Sequence, residues 1–439
     1  MYVLTKEQLL QDLYKAYADA CLHKKCQQYV KRFSRNLDSH LTQLCNELWS
    51  RQYRPLPSSC FIITYPKRRE VFAAEFRDRI VHHLYYNYTW ELFCRTFIQD
   101  TYSCVPERGT HYGISRLRRH ILQESLNYTR PCYVLKMDIG GYFMHIQRKR
   151  LLECCLESLH EMSNHRILAR VPVRWCDVLD MDFIEYLTRE IVLLDPTDNC
   201  RIVGHPSEWD TLPANKSLFK MPEGCGLPIG NLTSQLYSNV YLNVLDQWMK
   251  RQMHCKHYGR YVDDFYVVSA DRKWLRTLPP KVDEFLREEL GLNLQRGKTI
   301  ISDVRQGVSF VGAFLRPGRS YVDNRSLRNM RKKLGELEAN LPDAVHLSYA
   351  LNSYLGVLGH YNSYRIARKV MIAEHNFSRY GTFTLDMKKF RAFEPLKLPE
   401  LTNEDLHFDF EKEDWGLDLD IDVDTSDWEE VSWTQLELF

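Results

Sequence analysis

Two adjacent aspartates interrupt a stretch that otherwise favours a β-strand. In YGRYVDDFYVVSA, residues 258–270, Asp263 and Asp264 stand among β-branched and aromatic residues. Those residues suit a pleated strand, whereas a carboxylate is costly to bury unless it is paired. A third aspartate, Asp138, follows the apolar run YVLKM at 133–137. Carboxylates at the ends of neighbouring strands can converge, and they then repel each other unless a cation lies between them.

Such a cluster suits metal-assisted phosphoryl transfer. Mg²⁺ prefers oxygen ligands and keeps substrate phosphates in its coordination shell. Two such ions about 3.5–4 Å apart activate an attacking hydroxyl and stabilise a leaving oxygen. The alternative interpretation is that the three aspartates are ordinary turn or surface residues.

The elements around the aspartates predict an α+β fold. Helical periodicity covers roughly residues 1–50, and FIITYPKRREVFAA at 61–74 predicts strands joined by a basic turn. Further helices are predicted at 76–97, 147–160, 177–193, 280–290 and 325–377. The prolines and glycines of 195–226 predict a long loop. Strand–helix–strand units around acidic strand ends favour an antiparallel sheet with helices packed on one face.

Composition indicates the cellular compartment in which the protein is expected. The chain has 439 residues and 13 cysteines, and it contains no Cys-x-x-Cys pair. It has no apolar run of about 18 residues and no secretory signal at its start, so no membrane association is expected. An odd number of scattered cysteines favours a reducing compartment, and we expect a cytoplasmic location.

Charge is distributed unevenly along the chain. Residues 395–439 contain 15 acidic and 2 basic residues, a net charge of −13, and the other 394 residues carry a net +15. A basic body suits a protein that handles a phosphate polymer. The acidic tail has three interpretations: it is disordered, it docks on a partner protein or a second copy, or it mimics nucleic acid in the basic cleft.

Six motifs together resemble those of reverse transcriptases. They are YPKRREVFAAEFRDRIVHH at 65–83, MDIGGYF at 137–143, GLPIGNLTSQ at 226–235, YVDD at 261–264, GLNLQRGKT at 291–299 and FVGAFLRPG at 310–318. They occur in the order found in that family and span roughly residues 50–375. Their number and order make the resemblance far more specific than YVDD alone.

The resemblance implies a metal site and a two-metal cofactor. Asp138 and Asp263 would each bind two Mg²⁺ ions, for which Mn²⁺ can substitute. Asp264 would support them, and the backbone of Ile139 would add an oxygen ligand. By the same resemblance, Lys298 would donate a proton to departing pyrophosphate; its alternative is charge stabilisation alone or an ordinary loop lysine.

The resemblance also implies a nucleotide site. Phe143 would be the steric gate that excludes a ribose 2′-hydroxyl, with a plain core aromatic as the alternative. Lys67 and Arg69 would neutralise the triphosphate, and Gly230 would let the backbone approach the substrate. The remaining members of this predicted site are Ile229 and Gln235, with Ser234, Arg77 and Arg79 as further candidates.

The implied fold is a right hand of fingers, palm and thumb with an antiparallel palm sheet and an acidic C-terminal extension. We predict N-terminal helices and fingers at 1–130 and a palm at 131–318, with inserted fingers-type helices and loop at 147–225. A helical thumb follows at 319–385, and the acidic tail is predicted at 386–439. Basic residues of the thumb, among them Arg325 and Arg328, would follow a duplex backbone.

Two positions point to a branch of the family. Retroviral and group II intron enzymes usually have glutamine and proline where this chain has Ile229 and Gln235. The form IGNLTSQ resembles the enzymes of diversity-generating retroelements and the "unknown group" enzymes associated with phage defence. Loss of the polar side chain at position 229 also suggests low fidelity.

The sequence thus predicts an RNA-directed DNA polymerase that copies an RNA template, a dedicated noncoding RNA, into DNA from dNTPs in anti-phage defence. One alternative is a diversity-generating enzyme that makes mutagenised cDNA. The other is a catalytically inactive nucleic-acid-binding protein.

Overall fold

The antiparallel sheet predicted around the aspartates is present in the first of two structural units. The structure is a computed structural model that describes residues 2–64, 67–168 and 171–393. The first unit extends to Ile301, and the second begins at Ser302. The class is α+β, as predicted, whereas the four predicted domain boundaries stay predictions.

Helices supply most of the first unit. In chain order they are α1 Lys6–Ala20, α2 Gln28–Ser34, α3 Leu37–Trp49, α4 Phe76–Thr96, α5 Thr110–Glu124, α6 Tyr142–His145, α7 Arg148–Ser163, α8 Met181–Val192, α9 Leu232–Arg251 and α10 Arg272–Leu290. Its strands are β1 Ser58–Ile63, β2 Arg69–Ala73, β3 Tyr133–Asp138, β4 Cys200–Ile202, β5 His257–Tyr261, β6 Asp264–Ser269 and β7 Ile300–Asp303, which reaches the unit boundary.

The sheet that carries the aspartates has the strand order β5-β6-β3-β7. β6 is antiparallel to both β5 and β3, and the pairing with β3 runs from Tyr133 opposite Ser269 to Asp138 opposite Asp264. Helices α5, α9 and α10 pack against these strands. All of β5 and the centre of β6 are therefore buried, which explains their aromatic and β-branched composition.

Helix α4 is the centre of the helical layer. It packs against α1, α7, α8 and α9, and its buried residues lie on all sides rather than on one stripe. A helix that is enclosed in this way needs no strong amphipathic pattern. Its buried polar residues are correspondingly paired: Asp78 accepts hydrogen bonds from Tyr53 and from the backbone of Leu56.

Helix α10 begins eight residues before the predicted start. The sequence prediction began the helix at about residue 280, yet Pro279 and Pro280 both lie inside it. Asp271 caps the helix by accepting hydrogen bonds from the backbone N–H groups of Lys273 and Trp274. Burial of one leucine- and valine-rich face outweighs the two missing backbone donors.

A small second sheet contains the basic turn. β1 pairs with β2 in antiparallel fashion and with β4 in parallel fashion. Buried Glu70 of β2 binds the long 195–226 segment, since its carboxylate accepts hydrogen bonds from Trp209, Ser217 and the backbone of Leu218. The predicted loop is thus fixed to the basic hairpin by one buried carboxylate.

The second unit combines a three-stranded sheet with helices. Its elements are β8 Val308–Phe310, β9 Ala313–Arg316, β10 Arg319–Val322, α11 Asn324–Ala339, α12 Ala344–Gly359, α13 Tyr364–Arg368, β11 Gly381–Phe383 and β12 Phe390–Ala392. Leucines of α11 and α12 form its core together with Phe377 and Phe390. The acidic residues from 394 onward lie outside the described residues. Within the described ranges, no helix is long and apolar enough to cross a membrane.

Candidate active site

The two aspartates of YVDD lie at a tight hairpin turn. Tyr261 at the end of β5 pairs with Asp264 at the start of β6, which leaves Val262 and Asp263 as the two turn residues. Val262 has a φ of +53°, in the left-handed region that a β-branched residue rarely adopts. Two-residue hairpin turns with a positive φ at the first central position normally place glycine there. Backbone strain at this point marks the turn as a functional candidate.

The turn brings the predicted metal-binding residues together. Asp138 lies opposite Asp264 at the ends of β3 and β6. The backbone N–H of Ile139 donates to the carbonyl oxygen of Asp263 at 3.3 Å. Lys298 Nζ donates to Asp138 Oδ2 at 2.7 Å, and Lys136 Nζ lies 3.4 Å from Asp264 Oδ2. Three carboxylates and two ammonium groups therefore share one end of the sheet.

The carboxylates of the turn are difficult to ionise. Burial, followed by repulsion from Asp138, raises the pKa of Asp263 to about 7. Burial also raises the pKa of Asp264, although Lys136 opposes the shift. A bound cation would reverse both effects, because it stabilises the ionised form.

The oxygen atoms present fit a divalent cation. Asp138 Oδ1 is buried and has no hydrogen-bond partner among the described residues. No cluster of three or more His, Cys, Asp or Glu side chains with metal-binding geometry occurs in the described ranges. The candidate site is of another kind, since two carboxylates, those of Asp138 and Asp263, lie at adjoining strand ends. The carbonyl oxygen of Ile139 stays a predicted further ligand. An orphaned buried oxygen beside a carboxylate of raised pKa is what such a site requires.

Phe143 lies on the short helix α6, five residues after Asp138. Its side chain is half-buried, and its ring lies 5.3 Å from that of Tyr142 in an edge-to-face arrangement. Tyr142 is held by a hydrogen bond from its hydroxyl to the carbonyl of Ser238. The backbone carbonyl of Phe143 accepts from Leu227 N–H at 2.8 Å, which joins α6 to the 226–235 motif.

The 226–235 motif lies against β2. The carbonyl of Ile229 accepts from Phe72 N–H at 3.0 Å, and the Ile229 side chain packs on a cluster that contains Cys60 and Phe72. Gly230 has a φ of +119°, and a Cβ there would approach Phe72 O to 3.1 Å. Glycine is therefore required at this close approach to β2.

The basic candidates separate into two groups. Lys67 is exposed in the turn before β2, and Arg69 begins β2. Arg77 instead bonds Glu47 at 2.8 Å and stacks over the ring of Tyr53, while Arg79 donates to the carbonyl of Ala74. Arg77 therefore connects α4 to α3 and to Tyr53, and Arg79 binds the backbone just before its own helix. Phosphate contact by either arginine stays a prediction.

Gln235 and Ser234 lie in the first turns of α9. Ser234 is buried, and Gln235 Oε1 accepts from Cys104 Sγ at 3.4 Å. Cys104 ends the segment Thr101–Cys104, which lies in none of the six motifs. The residue types of this segment do not indicate a functional role. The sequence feature that could have drawn attention to it is Arg260, a charged residue within the buried strand β5.

Comparison with known proteins identifies a family whose sequence model matches this chain. The sequence model described as "Reverse transcriptase (RNA-dependent DNA polymerase)" matches residues 69–315, more than half of the chain. Protein YkfC of Escherichia coli (strain K12) is 24% identical over 306 residues, a match that covers 61% of this chain and 69% of that protein.

Two telomerase structures are also similar to this chain, at lower sequence identity. Apo telomerase from Candida tropicalis has a TM-score of 0.42 and 13% identity, covering 74% of this chain and 58% of that one. Telomerase from Candida albicans in complex with the TWJ fragment of telomeric RNA has a TM-score of 0.43 and 13% identity, covering 77% and 61%. The chain thus spans less than two thirds of these telomerase chains, and a likeness this weak supports no functional conclusion.

Proposed function

The chain belongs to the reverse transcriptase family, and from this premise we propose that it is an RNA-directed DNA polymerase. The reaction is nucleotidyl transfer, in which a 3′-hydroxyl attacks the α-phosphate of a dNTP and pyrophosphate leaves. The observation that carries the proposal is the buried, unpartnered Asp138 Oδ1 at the end of β3, within the described residues. Asp138 lies opposite Asp264 beside the turn, where burial and Asp138 raise the pKa of Asp263 to about 7.

The carboxylates of Asp138 and Asp263 would hold two Mg²⁺ ions, with the carbonyl of Ile139 as a further ligand and Asp264 in support. Bound Mg²⁺ supplies activation of the attacking hydroxyl and neutralisation of the leaving group. Lys136 partly neutralises Asp264, so the carboxylates of Asp138 and Asp263 are the two left for the cations. Mn²⁺ has similar ligand preferences and would substitute.

The nucleotide would lie between α6 and the basic hairpin. Phe143 would exclude a ribose 2′-hydroxyl by its bulk, and Lys67 and Arg69 would neutralise the triphosphate. Gly230 would expose backbone to the substrate, next to Ile229 and Gln235. Lys298, whose side chain is 55% exposed, would donate a proton from Nζ to pyrophosphate.

A finer proposal concerns the biological role. We propose that the template is a dedicated noncoding RNA and that the enzyme acts in phage defence in a bacterial cytoplasm, with a partner protein or a second copy bound through the acidic tail. Support comes from Ile229 and Gln235 and from the charge of residues 395–439. Sequencing of co-purified nucleic acid tests this role: a single noncoding RNA as the template supports it, and cDNA that is densely mutagenised relative to its template would instead support diversity generation.

The activity itself is tested by primer extension. Wild-type protein with an RNA template, a DNA primer, dNTPs and Mg²⁺ should extend the primer, and Asp263→Asn should reduce extension by about a hundredfold or more. Asp180→Asn is a matched control, because Asp180 caps α8 and asparagine caps a helix equally well. RNA binding without extension by the wild type, over a range of templates, would favour the inactive binding protein.

A further inference from the structure

The backbone of Val262 is held on both sides by buried side chains. Its N–H donates to Ser103 Oγ at 3.0 Å, and its carbonyl accepts from Arg260 Nη1 at 3.0 Å. Val262 is the turn residue with the left-handed φ, and it immediately precedes Asp263. Both backbone polar groups of the strained residue thus have a side-chain partner.

The two partners are joined to each other. Arg260 Nη1 also donates to Asn239 Oδ1 at 3.1 Å, and Asn239 Nδ2 donates to the carbonyl oxygen of Ser103 at 2.7 Å. The hydrogen bonds form a closed ring through Val262. We call Ser103, Asn239 and Arg260 the turn clamp; each is at most 2% exposed.

Arg260 is fixed in direction by a buried carboxylate. Its Nε and Nη2 bind the two oxygens of Asp246 at 2.8 and 2.6 Å, and neither side chain is exposed. Tyr258 and Thr101 also donate to Asp246. A guanidinium held in this way is fixed in orientation before substrate arrives, and its remaining nitrogen, Nη1, is directed to Asn239 and the turn.

Ser103 is placed by the same arginine. Arg260 N–H donates to Asp100 O at 2.8 Å, and its carbonyl accepts from Tyr102 N–H at 2.9 Å. The segment before Ser103 therefore runs parallel to β5, as an extra edge. The clamp connects α9, this segment and β5 to the backbone of a single residue, Val262.

The hairpin does not need the clamp to form, because β5 and β6 have their own ladder of hydrogen bonds. What the ladder leaves unfixed is the turn between them, where valine disfavours the conformation that it adopts. We propose that Ser103, Asn239 and Arg260 are positioning residues that hold Val262 in the left-handed conformation and thereby fix the carboxylate of Asp263 for the reaction. This inference rests on the proposed polymerase function.

The first test compares two serine-to-alanine variants. Ser103→Ala deletes the acceptor of Val262 N–H. Ser125→Ala is the matched control, because buried Ser125 accepts from the N–H of Tyr128, which also has a positive φ, in a turn after α5. Both should melt within about 4 °C of the wild type. Ser103→Ala should lower kcat for primer extension by about tenfold or more with little change in the dNTP KM, and Ser125→Ala should leave both unchanged.

Glycine at position 262 provides the second test. Gly adopts the left-handed conformation without strain, so the clamp should matter less in a Val262→Gly background. Ser103→Ala should then lower kcat by less than about threefold relative to Val262→Gly alone. An equal loss in both backgrounds, or a Ser103→Ala enzyme with wild-type kcat, would overturn the proposal. Arg260 variants are avoided, because they would leave Asp246 buried without its counter-ion.

A third readout does not depend on activity. Hydrogen exchange at the Val262 amide should become faster by about tenfold or more in Ser103→Ala, while the amides of β5 and β6 keep their protection. Unchanged exchange at Val262 overturns the clamp even if the wild type extends no primer. Failure of the wild type to extend a primer, with faster exchange in Ser103→Ala, would count against the polymerase function and leave the clamp supported.

Discussion

Lys298 Nζ donates a hydrogen bond of 2.7 Å to Asp138 Oδ2, while the other oxygen of the same carboxylate is buried with no partner in the described ranges. One oxygen of Asp138 is thus paired with a half-exposed ammonium group, and the other oxygen is left for a ligand. Asp263 lies on the turn beside it, where burial and Asp138 raise its pKa to about 7. The proposed cation site therefore requires the carboxylates of both Asp138 and Asp263.

Asp263 should make the metal-free protein less stable as pH rises. Its native pKa of about 7 lies above the ordinary value of 3.8. Between these values the native state holds a proton that the unfolded state has released, so the free energy of unfolding falls with rising pH and levels off above about pH 7. Asp263→Asn removes this penalty, and it should be more stable than the wild type by a few kcal/mol at pH 8, at about 1.4 kcal/mol per pKa unit.

Denaturant unfolding in EDTA at pH 5 and pH 8 measures this difference. The advantage of Asp263→Asn at pH 5 should be less than half of the advantage at pH 8. An advantage that is the same at both pH values would show that the pKa of Asp263 is not raised in the folded protein.

Phe143 should determine the choice between dNTPs and rNTPs. Phe143→Ala should reduce the ratio of kcat/KM for dNTP over rNTP by about tenfold or more, because the bulk that meets a 2′-hydroxyl is gone. Tyr142→Phe is the neighbouring control, since it removes only a hydroxyl that donates to Ser238. Single-nucleotide incorporation assays give the ratio, and a core aromatic without a gating role would leave it unchanged in Phe143→Ala.

Ile229 should limit fidelity. Ile229→Gln restores a polar side chain at this position, and we expect a lower misincorporation rate. The same change should cost about 1–3 kcal/mol of stability, because the side chain packs against the apolar cluster of Cys60, Phe72, Met144 and Leu218. Error rates should therefore be measured where the variant is folded, with Ile229→Met as a control of similar volume. Wild-type error rates in folded Ile229→Gln would contradict the fidelity hypothesis.

The sheet and its aspartates could be predicted from the sequence, whereas the residues that hold the turn between β5 and β6 could not. The β-branched and aromatic residues around Asp263 indicated the strands, and an acidic pair within them indicated a turn or a site. Arg260 and Asp246 are 14 residues apart on a strand and a helix, and no local pattern reveals that they pair. The segment Thr101–Cys104 has no periodicity, so its place beside β5 follows only from tertiary contacts.

Helix boundaries and basic residues were the weaker predictions. Pro279 and Pro280 suggested a helix start that the buried face of α10 overrides. Arg77 and Arg79 were further candidates for phosphate contact within the fingers motif, and that role stays a prediction. The contacts of Arg77 with Glu47 and Tyr53 are long-range and could not be inferred from sequence spacing.

Cation binding by Asp138 and Asp263 tests the account most directly. Mn²⁺ binding in the presence of dTTP, followed by electron paramagnetic resonance, compares the wild type with Asp138→Asn, Asp263→Asn and the control Asp180→Asn. The wild type and Asp180→Asn should bind Mn²⁺ with the same affinity, and each active-site variant should bind it at least about tenfold more weakly. Equal Mn²⁺ affinity in all four proteins would contradict the account.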